Sequence, residues 1–229
     1  MDGRSLRSAA AVAAAALAGA ALLLGSGGGR AIGDGLSPDT PRITAAQRDA
    51  GARFSAGVSE ADRAWILAGI AAARPEAQRL IAEVDGLVDY EVHRGDPLGV
   101  TRSRVGPGGA DFVISFDVAS LDGLRTQDRA VTVLHEYGHV IDLALVRQET
   151  NDVLEAGIPR TGACGNFGGV MTGACAVPEE RFADTFAKWA LRGAVSAAGA
   201  GYSTLAPASL ESWGAPLATL AVQVDVASR

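Results

Sequence analysis

The sequence predicts an α+β domain: a short mixed or antiparallel sheet packed on one buried helix, with further helices around it. Residues 111 to 118 (Asp-Phe-Val-Ile-Ser-Phe-Asp-Val) are rich in β-branched and aromatic side chains and are the clearest strand in the chain. Thr126 then opens a long helix running to about Val146. Its apolar residues Val131, Val133, Leu134, Tyr137, Val140, Ile141, Leu143 and Leu145 fall on nearly every side, as in a buried helix. Further helical segments lie before the strand and after the long helix.

From the N-terminus, Arg4 and Arg7 form a basic start. Ala9 to Leu24 is an uncharged apolar run, followed by Gly25-Ser26-Gly27-Gly28-Gly29. The run is shorter than the roughly 20 residues that span a bilayer. Residues 1–31 therefore read as a signal peptide cleaved between Gly25 and Ala31, with a retained anchor or a buried Ala-rich helix as alternatives. No cysteine follows the run, which argues against a lipid anchor. Residues 32–58, with Pro38 and Pro41, read as a linker or flexible arm, and 59–229 as a single domain. A chain of 229 residues with 48% hydrophobic content suits one globular domain with extensions. The net charge of −6 and the lack of a basic stripe argue against nucleic acid as a partner.

Ser59-Glu60-Ala61-Asp62 reads as a capping box, opening a helix to about Arg74. Pro75 suits the first turn of a second helix that ends near Gly86. Together they supply Trp65, Ile66, Ile70, Leu80, Ile81 and Val84 to the core. Leu87 to His93 alternates as a strand, and Val100 to Val105 is expected to pair back on it after the turn at Gly95-Asp96-Pro97. The 111–118 strand is expected to keep a free edge for an extended peptide. Cys164 and Cys175 are the only cysteines. Export would make them a disulfide, with two free thiols as the alternative. Closing a loop of that size contributes about 3 kcal/mol in the chain-entropy account. The tail, 203–229, reads as a helix packing Trp213 and Leu217 inwards.

The chemistry concentrates in His135-Glu136-Tyr137-Gly138-His139. The chain has three histidines, and two stand here, four apart. On a helix they share one face, so both imidazoles can close on one metal ion, with Glu136 beside it as a general base. Burial strengthens this, because a buried imidazole needs partners for its ring nitrogens. Catalytic zinc sites have three protein ligands and an open position. A third histidine six residues after His139 would complete one known arrangement, but Leu145 stands there and Asp142 replaces the glycine that pattern needs. His93 is upstream in a presumed strand or turn. The better third ligand is Glu180, in Pro178-Glu179-Glu180-Arg181-Phe182-Ala183-Asp184-Thr185-Phe186. On a helical wheel Phe182, Phe186 and Trp189 form one stripe, with Glu180 and Asp184 opposite, flanked by Ala183 and Ala187. Asp184 is placed to bond a ligand histidine. Glu179 lies nearer the aromatic side and is the weaker candidate. An ordinary surface helix with a solvated acidic face is the competing reading.

The two segments together resemble gluzincin metallopeptidases, closest to lethal-factor-type catalytic domains and their small secreted relatives. The first carries it as His135-Glu136-Tyr137-Gly138-His139-Val140-Ile141-Asp142, the second as Glu180-Arg181-Phe182-Ala183-Asp184-Thr185-Phe186. The resemblance covers roughly residues 87 to 192 and implies a zincin-like fold. It also implies one Zn²⁺ held by His135, His139 and Glu180, and hydrolysis of a peptide or protein substrate by a zinc-bound water with Glu136 as base. Such peptidases offer a Tyr or His to the oxyanion; Tyr202 is the candidate here, with Tyr90 and His93 weaker. Once the signal peptide is removed, no stable membrane association is expected. Two other readings stay open: a non-catalytic secreted zinc-binding protein of gluzincin-like fold, and metal-assisted hydrolysis of another substrate such as a cell-wall amide.

Overall fold

The computed structural model describes residues 51–95, 97–106, 109–124, 126–167, 170–195 and 203–227. The 1–31 segment, the arm as far as residue 50, and Tyr202 lie outside them. The architecture is α+β, with a small mixed sheet and several helices. Strand β1 (Arg53–Phe54) precedes helices α1 (Glu60–Ala71) and α2 (Pro75–Val84). Strands β2 (Val88–His93), β3 (Gly99–Gly106) and β4 (Gly109–Asp117) follow, then helices α3 (Val118–Asp122), α4 (Thr126–Ala144) and α5 (Gln148–Gly157). A hairpin of β5 (Cys164–Phe167) and β6 (Val170–Gly173) leads to helices α6 (Pro178–Ala190), α7 (Leu210–Trp213) and α8 (Ala215–Ala227).

The expected capping box forms: Ser59 Oγ accepts the Asp62 amide and Asp62 Oδ2 accepts the Ser59 amide, both at 3.2 Å. Helix α1 stops at Ala71, short of Arg74, because a residue before proline is driven to extended backbone. Arg74 adopts φ −61°, ψ 153° and becomes the N-cap of α2. Its guanidinium lies 4.8 Å from the Trp189 ring centroid and forks onto Glu211 at 2.9 and 2.7 Å.

The sheet differs from the expected hairpin. Its order is β1-β2-β4-β3: β2 runs parallel to β4, and β3 pairs antiparallel with β4 rather than with β2. Strand β4 is therefore central and has no free edge. Its inward residues Phe112, Ile114 and Phe116 are buried, and so are Val113 and Ser115 on its other face. A strand covered on both faces and both edges explains why residues 111–118 gave the strongest strand signal. The edges belong to β1 and β3. Strand β1 also moves the start of the folded region ahead of Ser59, since Arg53–Phe54 pairs parallel with β2 and Phe54 stacks on Tyr90 at 4.7 Å.

Helix α4 lies buried against this sheet, as expected. Helix α6 packs on α4 and is buried from Glu180 to Ala190, which removes the surface-helix reading. Its aromatic stripe meets the tail: Phe182 and Trp213 have centroids 5.9 Å apart. The tail is two helices, broken at Gly214, where a Cβ would stand 2.0 Å from Trp189 Nε1. Trp213 and Leu217 are buried, as expected. Cys164 and Cys175 form a disulfide, Cα atoms 5.1 Å apart, closing the β5–β6 hairpin. Among the described residues no helix is long and apolar enough to cross a membrane.

Candidate metal centre

Helix α4 presents His135 and His139 one turn apart, their ring centroids 4.9 Å apart. Helix α6 supplies Glu180, because Pro178 at its first turn starts the helix two residues earlier and places Glu180 inwards. Glu179 is exposed. The helices meet closely at Gly138, where a Cβ would lie 2.7 Å from Ala183 Cα, so only glycine fits. This approach brings Glu180 Oε2 to 3.0 Å from His135 Nε2 and 3.3 Å from His139 Nε2.

All three side chains are buried, and one ligand atom from each lies within 4.8 Å of the others. A tetrahedral ion with ligand bonds of about 2.0–2.1 Å has ligand–ligand edges of roughly 3.3–3.4 Å, which two of these separations approach. His139 Nε2 makes no hydrogen bond among the described residues, although it is buried. A buried ring nitrogen without such a bond, facing a carboxylate oxygen and a second imidazole, fits a metal ion. The group could hold one.

The charges of these groups act strongly on one another. Burial pushes the Glu180 carboxyl up, but the charge of His139 and the contacts from both histidines outweigh it and hold it at about 2. Burial pushes the His139 imidazole down, but the charges of Glu180, Glu136 and Asp142 raise it to about 9. Burial also raises Glu136, against the opposing pull of His135, His139 and a Thr101 hydrogen bond. Asp142, beyond His139, accepts a hydrogen bond from Asn151, and burial lifts it to about 6.

Glu136 is fully buried beside the ligands. Thr101 Oγ1 in β3 donates to its Oε2 at 2.8 Å, and Gly99 leaves it room. Neither Thr101 nor Gly99 stands out in the sequence; they qualify only through the β3–β4 register that brings β3 against α4.

Other candidates fall elsewhere. Asp184 Oδ2 accepts hydrogen bonds from Lys188 Nζ at 2.7 Å and from the Thr204 amide at 3.0 Å, so it clamps the chain after α6 rather than bonding a histidine. Tyr90 is in the core: its hydroxyl donates to Tyr137 at 2.7 Å, and Tyr137 donates to Asp85 at 2.6 Å. His93 bonds Ser115 Oγ and the Pro97 carbonyl, at 2.8 and 2.7 Å. Neither reaches the metal group.

No family model matches the chain, and no curated protein and no solved structure is matched.

Proposed function

We propose that this chain is a secreted zinc-dependent metallopeptidase of the gluzincin type, with a zincin-like domain similar to lethal-factor-like catalytic domains. One observation carries the reading: His135, His139 and Glu180 converge beside Glu136, whose Oε1 is buried without a hydrogen-bond partner among the described residues. Two imidazoles and one carboxylate form a donor set used by zinc sites that keep one position open. An ion held there would polarise a scissile carbonyl and make its bound water acidic. Glu136 takes up the proton on its carboxylate and returns it to the leaving amine. Burial raises its proton affinity, the direction that favours a general base.

The substrate is an extended peptide or protein segment. Among the described residues no strand pairs with the outer edge of β3, which lies against α4 and can add an extended chain by backbone hydrogen bonds. The Cys164–Cys175 disulfide and the basic-then-apolar segment 1–31 support an extracytoplasmic location.

Zinc analysis and cleavage of a peptide library, comparing the wild type with Glu136→Gln, test this. One zinc per chain in both proteins and hydrolysis by the wild type alone are expected. An active Glu136→Gln protein overturns the role of Glu136. A zinc-loaded wild type that cleaves nothing in the library overturns the peptidase reading in favour of a zinc-binding protein.

A further inference from the structure

Strand β3 does more than border the metal group; it grips one oxygen of Glu136 and clears space for the other. Thr101 is buried, and its Oγ1 lies 2.8 Å from Glu136 Oε2 and 3.2 Å from the Glu136 backbone carbonyl oxygen, with one hydroxyl proton to give. The shorter contact is the better hydrogen bond, and a carboxylate is the stronger acceptor. Two residues away on the same face of β3 stands Gly99. A Cβ there would lie 2.6 Å from Glu136 Oε1 and 3.0 Å from its Cδ. A side chain would therefore expel the carboxylate from its present place. Oε1 is buried with no hydrogen-bond partner among the described residues. The two oxygens are thus unequal: Oε2 is anchored and Oε1 is left with its lone pairs unengaged.

The geometry points to Thr101 as a positioning residue for Glu136, with Oε1 as the oxygen that accepts the proton. This rests on the peptidase reading for its chemistry, but the anchoring is a property of the fold alone. Thr101 touches no metal-binding side chain in the hydrogen bonds described, so its removal leaves the ligands in place. It also lies in the edge strand, so the side chain that fixes the base belongs to the element that a peptide would pair with. Serine keeps the hydroxyl; valine keeps the shape and loses it.

Crystal structures, zinc affinities and peptide hydrolysis are compared for wild type, Thr101→Ser and Thr101→Val. In Thr101→Val the Glu136 carboxylate is expected to rotate from its wild-type position while zinc affinity stays within about twofold. A reacting group displaced by about 1 Å loses on the order of 100-fold in rate, so kcat should fall by roughly 10- to 100-fold with KM nearly unchanged. Thr101→Ser should restore both the position and the rate. Glu136 unmoved in Thr101→Val, or Thr101→Val as active as wild type, overturns the proposal. Should Thr101→Val not fold, Thr101→Ala takes its place under the same criteria. A wild type without hydrolysis defeats the peptidase reading, and the crystal comparison then still decides whether Thr101 anchors Glu136.

Discussion

Gly138 and Ala183 set the distance between the two helices that carry the metal group: a Cβ on Gly138 would stand 2.7 Å from the Ala183 Cα and 3.1 Å from its Cβ. Both neighbours are parts of rigid helices, so neither can swing aside. The glycine between the histidines thus acts through space, on the helix that bears Glu180. Gly138→Ala should push α6 away from α4, costing about 1–3 kcal/mol as other overpacked core positions do. Because Glu180 moves with α6, metal affinity should fall at least about tenfold, a change of about 1.4 kcal/mol. Urea unfolding and competition with a chelator measure the two effects. A Gly138→Ala protein with unchanged affinity would show that the helix contact does not set the ligand geometry.

Metal binding should depend on pH with a definite sign. Without metal, His139 holds its proton up to about pH 9 through burial opposed by the carboxylates around it, while Glu180 is ionised down to about pH 2. A ligand histidine must lose that proton. Below pH 9 binding therefore releases about one proton, and apparent affinity should rise about tenfold per pH unit between 7 and 8.5. Calorimetry in two buffers of different ionisation enthalpy counts the proton directly. In the metal-free protein the same pair stabilises the fold. The raised His139 contributes fully below its ordinary value of 6.5 and loses its contribution as pH rises through 9. The lowered Glu180 contributes above 4.5 and loses its contribution as pH falls through 2. The stabilisation from this pair should therefore be fullest between about pH 4.5 and 6.5.

Lys188 and Asp184 form a buried ion pair one helical turn apart, and both also bind the backbone of Thr204. Removing the ammonium leaves the buried Asp184 without its ion-pair partner. Lys188→Met should cost about 3–5 kcal/mol, the usual consequence of breaking one side of such a pair. The double change Lys188→Met with Asp184→Leu should recover part of it. Chemical denaturation of the wild type, Lys188→Met, Asp184→Leu and the double variant measures this, and an additive double mutant would refute the coupling.

The metal group was legible in the sequence because its spacing is helical. His135 and His139 needed only the rule for i and i+4, and Glu180 needed only the wheel that separates it from Phe182, Phe186 and Trp189. The sheet was less legible. The strand at 111–118 announced itself by composition, but order in a sheet is set by contacts between distant segments, and alternation within Leu87–His93 and Val100–Val105 does not say which strand separates them. Burial across α6 was also hidden. Its acidic face looks solvated when read alone, and only the α4 contact at Gly138 and the Thr204 clamp account for carboxylates in the interior. Helix α5 carries few apolar residues and gave little periodic signal. Thr101 and Gly99 are ordinary strand residues until the β3–β4 register brings them to Glu136.

The contact between His135 and Glu180 joins positions 45 residues apart. An ion bound there would be a cross-link as well as a reagent, closing a long loop that contains the separate Cys164–Cys175 bond 11 residues wide. Because such an ion binds the folded chain and not the unfolded one, its stabilisation grows with the logarithm of free metal, about 2.7 kcal/mol at a hundred times its dissociation constant. Chelation would then loosen the attachment of α6 to α4 together with the chemistry, so loss of activity and loss of resistance to proteolysis should follow the same metal titration.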